Sequence, residues 1–96
     1  MNIKIYKMDI FDTITIKDVK LEIAELVKGL RKQRGMNQED LATVLNLSRI
    51  TISKLEQGRN ITLDTLLKVM WYFELLDSFH GYLSELIRGN TQDSLY

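Results

Sequence analysis

The chain has 96 residues, 45% hydrophobic and 27% charged, and its 13 basic and 13 acidic side chains balance to zero net charge. That is enough apolar material for one soluble globular domain, which excludes a disordered chain and leaves no room for a second core of ordinary size. With no cysteine there is neither a disulfide nor a thiolate metal site.

The N-terminal stretch MNIKIYKMDIFDTITIKD mixes charges among its apolar residues, unlike the unbroken apolar run of a signal peptide. No stretch approaches the roughly 18 apolar residues of a membrane span, so a cytoplasmic protein without membrane contact is expected. Residues 2–7, NIKIYK, alternate apolar and polar, which favours a short strand, and residues 10–16 continue the alternation more weakly. A short extended or β N-terminal arm over residues 1–17 is the expectation.

From Asp18 the period becomes helical. Val19, Ile23, Leu26, Val27 and Leu30 recur at helical spacing, with Asp18 placed as N-cap and Gly35 as the stop. Asn37 then caps a short second helix, Asp40 resembles its capping-box partner, and Leu41, Ala42 and Leu45 form the apolar face. Asn46 ends this helix, because Asn tolerates the left-handed conformation. Ser48 caps a third helix running to about Gln57, closed by Gly58. Asn60 or Thr62 opens a fourth through LDTLLKVMWYF, and a fifth runs from about Asp77 to Ile87, before Gly89. The fold class is therefore all-α: a compact five-helix domain over residues 18–89, followed by a tail at 90–96.

The zero net charge hides an uneven distribution. Residues 1–27 carry −1, residues 28–59 carry +4 and residues 60–96 carry −3. On the third helix, with Arg49 at zero, Ser53 falls at about 40°, Gln57 at about 80°, Ile50 at about 100° and Lys54 at about 140°. Leu55 and Ile52 fall at about 240° and 300°, the side to be buried. The open arc thus holds two cations, a hydroxyl, an amide and a β-branched apolar side chain. Those are the groups that read base edges in a DNA major groove: Arg and Lys donate to guanine, a hydroxyl serves any base, and an apolar group packs on the thymine methyl. Arg49, Ile50, Ser53 and Lys54 are the candidate base contacts. The second helix would hold the third through Leu41, Ala42, Leu45 and Leu47 against Ile52 and Leu55, with Ala42 small enough to let the two approach.

Residues 38–57, QEDLATVLNLSRITISKLEQ, resemble the helix-turn-helix of the phage lambda repressor and Cro superfamily, the Xre-type regulators. Leu41, Leu45, Leu47, Ile52 and Leu55 match the family's apolar places, and Ala42 its small one. The similarity extends from about Ile23 to Leu76, through LRKQRGMNQEDLA and TISKLEQGRNITLDTLLKV. Asn46 departs from the glycine often found in the turn, but reaches the same backbone geometry.

The resemblance implies a lambda-repressor-like fold and phosphate contacts from Gln38, at the start of the second helix, and from Gln57, Arg59 and Asn60 in the turn after the third. Ser48 and Thr51, flanking the reading arc, either cap the helix or touch phosphate. It further implies that Arg31 and Glu56 form a structural pair that orients the third helix.

The implied function is a sequence-specific DNA-binding transcriptional regulator, a repressor that occupies its operator. The alternative is the antitoxin of a toxin–antitoxin pair, of which NITLDTLLKVMWYFELL is reminiscent. The partners are then double-stranded DNA, a second copy of the chain and, for an antitoxin, a toxin protein. Trp71, Phe73, Leu76, Phe79, Leu83 and Leu86 exceed what a small bundle easily buries, which suggests a dimer interface through the fifth helix and the arm. An enzyme is not expected: there is a single histidine, His80, with no phosphate-cradling glycine loop and no clustered metal ligands. Accordingly no catalytic residue, metal or cofactor is assigned.

Overall fold

A computed structural model describes residues 13–94, with side chains to residue 90; the expected strand at residues 2–7 and most of the N-terminal arm lie outside the described residues. Those described form five α-helices and no strand: α1 (Ile16–Gln33), α2 (Gln38–Leu45), α3 (Arg49–Glu56), α4 (Leu63–Tyr72) and α5 (Leu76–Ser94). The chain divides into two compact units, one ending at Asn60 and the other starting at Ile61.

In the first unit, α1 opens with a reciprocal capping box. Thr15 Oγ1 accepts the Asp18 N–H at 3.0 Å, and the Asp18 carboxylate accepts the Thr15 N–H at 3.0 Å. Asp18 is therefore not the cap expected from the sequence but the third residue of the helix. Thr15 supplies a cap oxygen one turn earlier, and Asp18 completes the box. The buried face of α1 is Ala24, Val27 and Arg31, which share an arc of about 60°. Val19 and Leu26, in the apolar pattern, lie about 80° and 100° beyond the nearer edge of that arc and remain exposed.

The second box is as expected. Asn37 Oδ1 accepts the Asp40 N–H at 2.7 Å, and the Asp40 carboxylate accepts the Asn37 N–H at 2.9 Å. Leu41, Ala42 and Leu45 of α2 and Ile52 and Leu55 of α3 are buried, with Leu41 and Ile52 fully so, while Leu47 is half-buried. Each such Leu or Ile contributes about 1.5–3 kcal/mol by leaving water.

Four helix ends use one device. A left-handed residue, Gly35, Asn46, Gly58 or Glu74, is followed by an N–H that bonds back into the last turn. The bonds run from Met36 to Arg31, Leu47 to Ala42, Arg59 to Lys54 and Leu75 to Met70, at 2.8–3.1 Å. At Gly58 a second constraint adds to the backbone one, since an added Cβ would meet Leu21 Cδ2 at 2.8 Å.

In the second unit Thr62 caps α4 by accepting the Thr65 N–H at 3.1 Å. Of the two caps the sequence offers, Thr62 serves because its hydroxyl stands three residues before that N–H. Thr65, Val69 and Phe73 are buried, and Tyr72 meets Phe73 edge to face at 5.1 Å. Helix α5 runs through Gly89 to Ser94 instead of stopping at Ile87. A helical glycine costs about 1 kcal/mol relative to Ala, and it stops a helix only when it takes the left-handed turn; Gly89 has no positive φ.

Candidate nucleic-acid interface

The site begins with how α3 is held. Its inner face, Ile52 and Leu55, packs in the apolar layer, and Glu56 turns inward beside them. A buried carboxylate needs a partner, and Arg31 of α1 supplies one in two-pronged form. Arg31 Nε donates to Glu56 Oε2 at 2.7 Å and Nη2 donates to Oε1 at 2.9 Å. The remaining nitrogen, Nη1, donates to the Met36 carbonyl at 2.7 Å and so also fixes the turn before α2. Burial by itself pushes the Glu56 carboxyl upward. The hydrogen bonds from Arg31 and Gln38 and the charges of Arg31 and Lys28 outweigh it and hold Glu56 below the usual glutamate range. Hydrogen bonding to Glu56 raises Arg31 in turn, against the effect of burial.

The polar chain continues outward. Gln38 Nε2 donates to Glu56 Oε1 at 3.1 Å, and Arg49 Nη1 makes a long contact with Gln38 Oε1 at 3.5 Å. Gln38 thus connects the buried pair to the first residue of α3. An open depression of about 380 Å³ lies here, lined by Arg31, Asn37, Gln38, Glu39 and Arg49. It sits at the N-terminus of α2, where the helix dipole favours an anion.

The outer arc of α3 is as the helical projection places it. Arg49 and Lys54 are exposed, Ile50 is 61% exposed, and Ser53 is half-buried with its hydroxyl accepting from Gln57 Nε2 at 2.8 Å.

Of the two alternatives for Ser48, the structure displays the cap: its Oγ accepts the Thr51 N–H at 3.1 Å and bonds the Thr51 hydroxyl at 2.9 Å. Arg59 and Asn60 are exposed in the turn after α3. One residue that sequence reasoning missed joins them: Lys20 of α1 donates through Nζ to Asn60 Oδ1. Lys20 lies in no motif and 40 residues from its partner, so nothing local in the sequence could have flagged it.

Two short helices joined by a tight turn, the first anchored and the second displaying a polar cationic arc, define a helix-turn-helix unit. A helix-turn-helix family model matches residues 27–71. A protein of Methanosphaerula palustris, named as an HTH-type transcriptional regulatory protein, is 44% identical over 50 residues, spanning 52% of this chain and 16% of that protein. A protein of the same name from Methanoregula boonei is 41% identical over 49 residues, spanning 51% of this chain and 16% of its own length. The chain therefore spans only a small part of these relatives. No solved structure matches it. Among the described residues no helix is long and apolar enough to cross a membrane.

Proposed function

We propose that the chain is a sequence-specific DNA-binding regulator that inserts α3 into the major groove and represses by occupying its operator. The observation that carries this reading is the split of α3. Ile52, Leu55 and Glu56 are buried and tied to α1 and α2, while Arg49, Ile50 and Lys54 stand exposed on one arc. Arg49 and Lys54 donate to base edges, Ile50 packs on a thymine methyl, and Ser53 serves either kind of base. Gln38 at the head of α2 and the Gln57, Arg59 and Asn60 turn contact phosphates on either side. The regulator names of the two relatives support the same reading.

The working form is a homodimer. Among its described residues α5 has no buried side chain, yet it carries Tyr82, Leu83, Leu86 and Ile87 exposed, and Trp71 of α4 is 64% exposed. A helix of this kind gains its stability from packing an apolar stripe, and a second copy supplies the missing face. Two half-sites about one helical turn of DNA apart follow from a two-fold dimer. Sedimentation of the chain and of Leu83→Glu tests this: a dimer that the variant dissociates is expected, and a wild-type monomer that binds a toxin through the same surface would favour the antitoxin alternative.

The decisive experiment is selection of sheared genomic DNA of the source organism on the purified chain at about 150 mM salt, beside an Arg49→Ala, Lys54→Ala double variant; counterion-driven binding is weak at that salt. A short palindrome enriched by the wild type and lost in the variant is the expected result. Equal recovery of all sequences by both proteins would sink the reading.

A further inference from the structure

We propose that Lys20, on the outer part of α1, is a DNA-phosphate contact that works as one unit with Arg59 and Asn60. This rests on the DNA-binding reading above and extends it to a helix outside the helix-turn-helix.

Three observations converge. Lys20 is half-buried, and its ammonium donates to the Asn60 side-chain oxygen, which places it at the turn after α3. The neighbouring Leu21 packs where a Cβ on Gly58 would fall, so two consecutive residues of α1 grip the same turn. Arg59 N–H bonds back to Lys54 O at 3.0 Å, which makes this turn a direct continuation of the cationic end of α3.

The chemistry of the cluster has one polarity. An asparagine amide has an oxygen acceptor and an NH₂ donor; Lys20 engages the oxygen, and the NH₂ adds a donor to the cluster. The ammonium keeps two of its three hydrogens, and Arg59 adds its planar set of donors. Among the described residues neither Lys20 nor Arg59 is in an ion pair with a carboxylate. A turn that carries the Lys20 ammonium, the Asn60 NH₂ and, one residue before Asn60, the exposed Arg59 is rich in donors and suits a phosphate oxygen.

The test is the salt dependence of binding to a random-sequence 20-base-pair duplex, read by fluorescence anisotropy. It compares wild type, Lys20→Met, Lys20→Gln, Lys20→Arg and Arg59→Ala, with thermal unfolding run on each. Each lost phosphate contact lowers the slope of log affinity against log salt by about 0.9. Between about 50 and 200 mM salt, the wild type should therefore lose roughly 3–4-fold more affinity than Lys20→Met or Lys20→Gln, and Lys20→Arg should restore the wild-type slope. A wild-type slope in both neutral variants, beside a reduced slope in Arg59→Ala, would overturn the Lys20 proposal alone. Absence of salt-dependent binding by the wild type would overturn the DNA-binding reading, and this proposal with it.

Discussion

Arg31 and Glu56, 25 positions apart, meet through two hydrogen bonds of 2.7 and 2.9 Å, with side chains only 9% and 1% exposed. The pair clamps the last turn of α3 to α1, and through Gln38 it reaches the first residue of α3 as well. The C-terminal turn of α3 is thus tied to α1, and with Ile52 and Leu55 buried beside Glu56 this sets the outward face on which Arg49 and Lys54 stand. Burying two charges is costly, and a paired arrangement recovers that cost only when both partners are present.

Glu56→Ala should therefore destabilise the fold by about 3–5 kcal/mol, because it leaves the largely buried Arg31 guanidinium without its carboxylate. An Arg31→Met, Glu56→Leu double variant should regain most of that loss, since neither charge then needs a partner. Urea denaturation of the three proteins checks both statements; equal losses in single and double variants would refute the account.

The pH dependence follows in sign from the lowered Glu56 carboxyl. A carboxyl held below its unfolded value contributes stability that is complete above the unfolded value. That stability is lost as pH falls through the folded one. Wild-type stability should accordingly decline below about pH 4.3, the ordinary glutamate value. Glu56→Gln, lower throughout, should show a flatter decline, measured as urea midpoints between pH 6 and pH 3 buffers.

Arg49→Ala and Lys54→Ala should each cost about 1–3 kcal/mol on the preferred operator and little on scrambled DNA, whereas Arg59→Ala should weaken both alike. Competition titrations on the two duplexes separate these roles.

Gln38 contacts both Glu56 and Arg49, so its effect should not be independent of theirs. In a double-mutant cycle on the operator, Gln38→Ala and Arg49→Ala should couple by about 0.5 kcal/mol or more, as residues in one hydrogen-bond network do. Strict additivity would remove Gln38 from the positioning of Arg49.

Among the described residues Glu74 is the one at a left-handed helix end that is neither Gly nor Asn, at φ 62°. Glu74→Gly should raise stability by up to about 1 kcal/mol by relieving the Cβ–carbonyl clash. Gly58→Ala should lower it, because both its φ of 71° and the 2.8 Å approach to Leu21 oppose a methyl group. Thermal midpoints report both.

Much of the site is legible along the chain because its causes are local. Asn37 with Asp40, Asn46 at the left-handed turn, Ser48 before α3 and the split of Ile52 and Leu55 from Arg49 and Lys54 depend on residues within a turn or two of each other, which helical periodicity exposes. The same logic fails where two local signals compete: Asp18 and Thr15 both can cap, and the box they form together assigns Asp18 the other role. It fails again at Gly89, where composition marks a stop that the backbone does not take. On α1 the apolar pattern and the buried arc coincide only in part, since periodicity defines an apolar side but not which arc of it is buried.

What the sequence by itself determined was the five helices of the described residues and the split of α3 into a buried side and an exposed arc, because helical spacing and capping act over three to four residues. The helix-turn-helix resemblance then placed Arg31 opposite Glu56. Only the tertiary structure decided that Gln38 lies between Glu56 and Arg49, that Met36 supplies a carbonyl to Arg31, and that Lys20 reaches Asn60. Those contacts join residues 5 to 40 positions apart, and their distances are set by how α1, α2 and α3 pack, a quantity that no local pattern encodes.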